Sequence, residues 1–178
     1  MKLRVSEILT LDGVMEAPEQ WSFAYMDQEL GQDVMSALNE TNAMLFGRKT
    51  YQEMAAAWPT RSGEMADIFN RVPKYVVSAT LTDLNWSNSH LITGNIAEEV
   101  AKLKAQPGGV LLVQGSADLV QFLAQHNLID EYLLNVVPLV LGKGKRLFQD
   151  GNQLRLQLVD THAYPAGILS LRYGPATS

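Results

Sequence analysis

The order of hydrophobic periods along the chain limits the fold more than any single residue does. Stretches with the period of a strand alternate with stretches of helical period for about 125 residues, and after that only strand-like stretches remain. Leu3 to Thr10 is rich in branched residues and reads as a strand, stopped by the turn dipeptide Asp12-Gly13. After a long loop to about Tyr25, Leu30, Val34, Leu38 and Thr41 recur three or four residues apart and predict a helix over Asp27 to Asn42. Ala43 to Phe46 is a short buried strand, and Lys49 to Ala57 a helix closed by Trp58-Pro59, because proline disfavours helix in the residue before it. Glu64 to Asn70 reads as a third helix, and Lys74 to Ser78 and His90 to Ile92 as strands. Ile96 to Ala105 is helical, with Pro107-Gly108-Gly109 as its stop; Val110 to Val113 is the aliphatic run of a strand covered on both faces. Gly115 opens a helix to about His126, and Tyr132 to Val137, Leu154 to Thr161 and Ile168 to Tyr173 follow as strands, the last two an antiparallel edge. This order predicts a three-layer α/β/α arrangement with a mixed, mostly parallel sheet and antiparallel C-terminal strands, in one domain spanning 1–178.

Composition removes several classes of function. With no cysteine among 178 residues there is no thiolate nucleophile, disulfide scaffold or cysteine-based zinc site. His90, His126 and His162 stand in different elements without ligand-like neighbours in sequence, so no metal is expected. A formal charge of −5 argues against nucleic acid or an anionic membrane as partner. Lys2, Arg4 and Glu7 interrupt the N-terminal apolar residues, which excludes a signal-peptide core there. Tyr132 to Leu141 contains Asn135 and Pro138 and falls short of the roughly 20 residues that span a bilayer. A cytoplasmic protein is expected.

Ligands of open parallel sheets bind at the carboxyl ends of strands, in the loops that lead into helices. Three such loops carry chemistry. Phe46-Gly47-Arg48-Lys49-Thr50-Tyr51 passes from strand to helix through glycine and brings two cations and a hydroxyl into the first turn. Cations there oppose the helix dipole, which argues for a bound anion such as a nucleotide phosphate; the plainer alternative is two solvated charges beside a glycine turn. In Leu112-Val113-Gln114-Gly115-Ser116-Ala117-Asp118, Gly115 permits close approach of a pyrophosphate and Ser116 suits a helix cap. Without the full GxGxxG or Walker pattern, this loop read alone is an ordinary turn. Val77-Ser78-Ala79-Thr80 ends a strand with two hydroxyls.

Together these motifs carry a resemblance. Gly47-Arg48-Lys49-Thr50-Tyr51 resembles the Gly-Arg-x-Thr-[Tyr/Trp] signature of the dihydrofolate reductase superfamily, and Val76-Val77-Ser78, Val110 to Gly115 and Asp130-Glu131-Tyr132 extend it. Pro138-Leu139-Val140-Leu141-Gly142-Lys143-Gly144-Lys145-Arg146-Leu147-Phe148 is similar to a stretch in one branch, that of the reductase domain of the riboflavin-biosynthesis deaminase-reductase and its stand-alone relatives. The similarity covers almost the whole chain, although a deaminase's zinc signature cannot be built without cysteine.

The resemblance implies an NADPH-binding fold. It assigns Gly47, Arg48, Lys49 and Thr50 to the pyrophosphate and 2′-phosphate, and Ser78, Ala79 and Thr80 to the adenosine phosphate. Gly115, Ser116, Ala117 and Asp118 match the pyrophosphate loop, with Gln114 in place of a glycine common in relatives, and Leu11, Asp12, Gly13 and Val14 match the segment beside the nicotinamide. Hydride reduction also needs a proton source, and dihydrofolate reductases use an acid on the first helix. At about 100° per residue, Asp27 shares the face of Leu30, Val34 and Leu38 while Glu29 and Asp33 point away. Asp27 is therefore the catalytic candidate, and a helix cap is its other reading. Trp21, Tyr25 and Leu30 form the candidate substrate face; Trp21, Phe23 and Tyr25 either stack on a pterin or pyrimidine ring or fold the loop onto the core. Gly142 and Gly144 are expected to make a tight turn with Lys143, Lys145 and Arg146 solvated nearby.

The resulting expectation is an NADPH-dependent reductase of a small heterocyclic or carbonyl substrate, with candidates a ribosylamino-pyrimidine phosphate and a dihydropterin. The alternatives are a non-catalytic nucleotide-binding module of the same fold and an interaction protein that binds no nucleotide. The resemblance, with the apolar strands of the last third, implies a homodimer.

Overall fold

The computed structural model describes residues 1–151 and 153–176. Its elements run β1 (Lys2–Thr10), α1 (Gln28–Asn39), β2 (Thr41–Gly47), α2 (Arg48–Ala57), α3 (Glu64–Arg71), β3 (Lys74–Val77), β4 (Ser89–Ile92), α4 (Ile96–Ala105), β5 (Val110–Val113), α5 (Ala117–Gln125), β6 (Glu131–Val137), β7 (Leu156–Ala163) and β8 (Leu169–Pro175). The eight strands form one sheet in the order β4-β3-β2-β5-β1-β6-β8-β7. The strands from β4 through β6 in that order are parallel, and β8 and β7 join antiparallel at one side. No helix among the described residues is long and apolar enough to cross a membrane.

Side chains alternate across the strands and so divide the core between two faces. On one face Leu3, Val5, Leu111 and Val113 pack against Val100 of α4 and Leu123 of α5. On the other, Met44, Phe46, Val76 and Leu112 meet Leu38 of α1, Tyr51 of α2 and Phe69 of α3. A third cluster, Leu30, Val137, Tyr164 and Ile168, lies where α1 crosses toward the antiparallel strands. β5 is buried on both faces, as its four aliphatic residues predict.

Several expected boundaries move; the last two strands, expected at Leu154 to Thr161 and Ile168 to Tyr173, run Leu156–Ala163 and Leu169–Pro175. The first helix ends at Asn39, and Thr41, which fits its periodic stripe, begins β2 instead. Sheet pairing takes it: Thr41 is in register with Val110, and Val110 N–H donates to the Glu40 carbonyl at 3.0 Å. The last helix opens at Ala117 rather than Gly115, whose φ of +67° lies outside any right-handed helix.

At the amino ends of β1 and β6, Arg4 Nε donates to Glu131 Oε1 at 2.5 Å with both side chains buried, and Lys2 reaches the other carboxylate oxygen. Arg4 also meets Glu40 at 2.8 Å. Burial pushes the Glu131 carboxyl up, but the Lys2 and Arg4 charges outweigh it and hold it below its ordinary value. Glu131→Ala leaves Arg4 buried with one partner fewer, so urea unfolding at neutral pH should report a loss of about 3 kcal/mol. Because the folded-state value is the lower one, the pair's contribution fades on acidification, and the gap between wild type and variant should narrow below the carboxylate range.

Candidate active site

The topology creates a crevice at the carboxyl end of β5. The chain leaves β5 for α5 on one face of the sheet, whereas its neighbours β1 and β2 both lead to helices on the other face. Loops that part in this way leave a gap at the strand end, where ligands of open sheets bind. Gln114, Gly115 and Ser116 lie in that gap.

Two helix starts interlock there. A Cβ at Gly47 would stand 2.8 Å from Ser116 Oγ, and one at Gly115 would stand 2.9 Å from Thr50 Oγ1. The loops into α2 and α5 thus approach as closely as glycine permits, each with a hydroxyl against the other's glycine. Ser116 caps α5, its Oγ accepting the Leu119 N–H at 3.5 Å. The α2 start has no side-chain cap and no acid in its first turn; Arg48 and Lys49 are exposed there, Arg48 Nη1 donating to Gln52 at 3.3 Å. Ser78 follows on neighbouring β3, buried, its hydroxyl oxygen accepting the N–H groups of Thr80 at 3.1 Å and Leu81 at 3.0 Å. Residues 47–50, 78–80 and 115–117 therefore occupy three adjacent strand ends. Asp118, next in the first turn of α5, has its carboxylate taken by Lys145 Nζ at 2.6 Å and Gln149 Nε2 at 3.2 Å, bonds that lower its pKa.

The segment after β1 is fastened to the loop after β6 through Asp12. Its carboxylate accepts from Thr10 Oγ1 at 2.6 Å, Gly142 N at 2.9 Å and Leu141 N at 3.2 Å, and the Thr10 bond leads in drawing its pKa down to about 2. Val14 forms a bridge with Arg146, and Arg146 Nε donates to the Asp12 carbonyl at 2.9 Å. Lys145 and Arg146 are exposed, as expected, and carboxylates on α5 and after β1 pair with them at the surface. Leu11 is left 65% exposed at the rim beside Leu139, whose carbonyl takes its N–H at 2.8 Å.

Asp27 caps α1, its Oδ1 accepting the Leu30 N–H at 2.8 Å. Its Oδ2 is buried and has no partner among the described residues. Trp21, Tyr25 and Met26 pack against the cluster containing Leu30, while Phe23 projects at 71% exposure. Trp21 Nε1 donates to the Glu16 carbonyl at 3.0 Å, so the loop folds back with its outer aromatic unsupported. The two acids turned away from Asp27 dock the antiparallel hairpin: Tyr164 Oη donates to Asp33 at 2.7 Å and His162 Nε2 meets Glu29 at 2.9 Å.

Two site residues were not singled out from the sequence. Asn135 on β6 is 5% exposed with an unpartnered Oδ1; it is in register with Ile8, which packs against the Leu30 cluster, so it shares the face that Asp27 borders. Glu7 on β1 accepts the Gly115 N–H at 2.5 Å. Asn135 is a buried polar residue amid the aliphatic side chains of β6, where an unpaired polar group is costly, whereas Glu7 is one of several polar residues of β1 and carries no such mark. Among the described residues no group of three His, Asp or Glu side chains gathers as metal ligands would.

Comparison with known proteins agrees with this geometry. A relative from Bacillus subtilis, the uncharacterized protein YyaP, is 31% identical over 172 residues, covering 93% of this chain and 90% of its own. Among solved structures, a Shewanella sp. PV-4 protein named for riboflavin biosynthesis superposes with a TM-score of 0.79 at 19% identity, over 99% of this chain and 100% of that one. The diaminohydroxyphosphoribosylaminopyrimidine deaminase/5-amino-6-(5-phosphoribosylamino)uracil reductase of Thermotoga maritima gives 0.68 at 14% identity, with 98% of this chain matched to 56% of that longer one. The RibD C-terminal domain model matches residues 1–170, and with the sheet order and strand-end loops above this places the chain in the RibD C-terminal domain family.

Proposed function

We propose that this chain, working as one domain over 1–178, is an NADPH-dependent reductase of a small pyrimidine- or pterin-type substrate. One observation carries the reading: two helix starts led by glycine meet at the β5 crevice, and the one without a cap or an acid carries Arg48 and Lys49. The residues present fit a dinucleotide. A side chain at Gly47 or Gly115 would meet the facing loop, and the N–H groups of α2 suit phosphate oxygens. In this reading Gly47 to Thr50 and Gly115 to Ala117 hold the pyrophosphate, Arg48, Lys49 and Ser78 to Thr80 favour a 2′-phosphate, and Leu11, Gly13 and Val14 line the nicotinamide.

A bound nicotinamide would supply hydride to a C=N or C=O carbon. The chain's part is to seat the acceptor and manage the proton. Trp21, Tyr25 and Leu30 offer an apolar wall for a flat ring, and the free oxygens of Asp27 and Asn135 accept N–H groups from its polar edge. Asp27 bonds the helix with one oxygen and keeps the other for the substrate, so capping and proton handling coexist. A second reading, a nucleotide-binding module without turnover, draws on Asp27 already serving as a cap.

Calorimetric titration should find NADPH binding much tighter than NADH binding, with Arg48→Ala weakening NADPH by about tenfold, the worth of one charge-assisted contact. Asp27→Asn should leave NADPH affinity within about twofold and lower turnover at least about 100-fold. Tight binding with no acceptor turned over would favour the module, and no binding of either nucleotide would end both readings.

A homodimer in the cytoplasm completes the proposal. β7 is an edge strand exposed along nearly its whole length, with Leu158 48% and Val159 64% exposed, the arrangement that invites pairing with another strand. Light scattering should report a dimer, and Val159→Lys should shift it toward monomer.

A further inference from the structure

Glu7 is the exception on its side of β1. Leu3, Val5 and Leu9 share that side and are at most 4% exposed, all in the cluster beneath α4 and α5. The reason an acid stands there lies in the neighbouring strand. β5 ends at Val113, opposite Val5, so two residues further along β1 the adjoining place belongs to the glycine loop instead of a ladder partner. Glu7 Oε1 accepts the Gly115 N–H, a group β5 would otherwise have committed to pairing. No ion pair reaches Glu7 among the described residues.

We propose that Glu7 is the positioning residue of the dinucleotide loop: it holds Gly115 from the core side and, through its own charge, sets how well that loop accepts a phosphate. The inference rests on the dinucleotide reading above. Burial pushes the Glu7 carboxyl up to about 8, against a smaller lowering by the Gly115 N–H, so at neutral pH the carboxyl is protonated. In that state it orders the loop and adds no negative charge behind it. Once ionised, it puts a full charge behind the phosphate cradle at low dielectric, where repulsion is strong. An anion bound to the loop in turn makes Glu7 harder to ionise, so binding at alkaline pH draws in a proton and affinity falls as pH rises.

On α4, which covers this side of β1, Lys102 pairs with Glu98 at 3.0 Å and Glu99 at 2.8 Å, and Lys104 pairs with Asp130 at 2.9 Å. Asp118 on α5 is bound by Lys145 and Gln149 and stays ionised, and Asp12 after β1 is held far down at about 2. Burial pushes Tyr132 on β6 up to about 12, and Arg48 and Lys49 carry the cationic charge of α2. Lys74 on β3 is lowered by burial to about 8, in the same range as Glu7, and donates to the Asn70 and Ser87 carbonyls. It is present in wild type and variant alike, so their difference isolates Glu7.

The test measures NADPH affinity against pH for wild type and Glu7→Gln, whose amide oxygen still accepts the Gly115 N–H. Wild-type affinity should fall about tenfold between about pH 7 and pH 9, and calorimetry in buffers of different ionisation enthalpy should record proton uptake on binding near the upper end. Glu7→Gln should hold its affinity across that range with no matching uptake. Proton uptake is read on the unmodified protein and serves even if the variant fails to fold. Without nucleotide, the variant should gain more thermal stability at pH 8 than at pH 5, because folded Glu7 keeps a proton that the unfolded chain releases between 4.5 and about 8. A flat wild-type profile without uptake, or the same fall in both proteins, would overturn the proposal while leaving the dinucleotide reading intact. No NADPH binding at any pH would overturn both.

Discussion

The site depends on one short strand stopping early. β5 is four residues long, buried on both faces and flanked by two strands that continue past it. Had it run on, its backbone would have paired with β1 and β2 and closed the sheet. Because it stops at Val113, the chain turns at Gly115 into the space between them, and the starts of α2 and α5 meet over it. The glycines at 47 and 115 follow from that geometry, since each faces a hydroxyl at a distance no Cβ tolerates.

Around this gap, polar groups hold loops more than they hold the core. Asp12 ties the turn after β1 to the loop after β6, Asp118 takes Lys145 from that same loop, and Ser78 closes the turn after β3. These bonds lie at the carboxyl edge of the sheet. The buried ion pair of Arg4 and Glu131 lies at the amino edge, where it fastens β1 to β6. One rim is thus built for stability and the other for shape. The chain's net negative charge hides a local arrangement in which the exposed cations of α2 stand without a neighbouring acid in its first turn.

Most of the fold was legible in the sequence because its elements repeat with clear periods: α4 and β5 fall where the apolar spacing and the glycine stop placed them. Thr41 misled because a β-branched residue at the right spacing satisfies a helix stripe and a strand alike, and only pairing with Val110 decides between them. The strand-end loops could be located because glycine, cation and hydroxyl types cluster there. Glu7 and Asn135 could not be singled out, since what gives them importance is the company of distant segments. A glutamate in a strand is unremarked until the strand beside it is known to end. Asp27 was found by helical phase, yet only the fold reveals that one of its oxygens is engaged and the other is not.

The contacts of Tyr164 with Asp33 and of His162 with Glu29 bind the antiparallel hairpin to the same helix whose first residues follow Asp27. That makes the hairpin a mechanical handle. A neighbour docking on that edge of the sheet would also meet, through these two contacts, the helix that Asp27 caps. The outer edge of the sheet, far along the strand order from the glycine loops, is thus tied by two side-chain bonds to α1, the helix that begins beside Asp27.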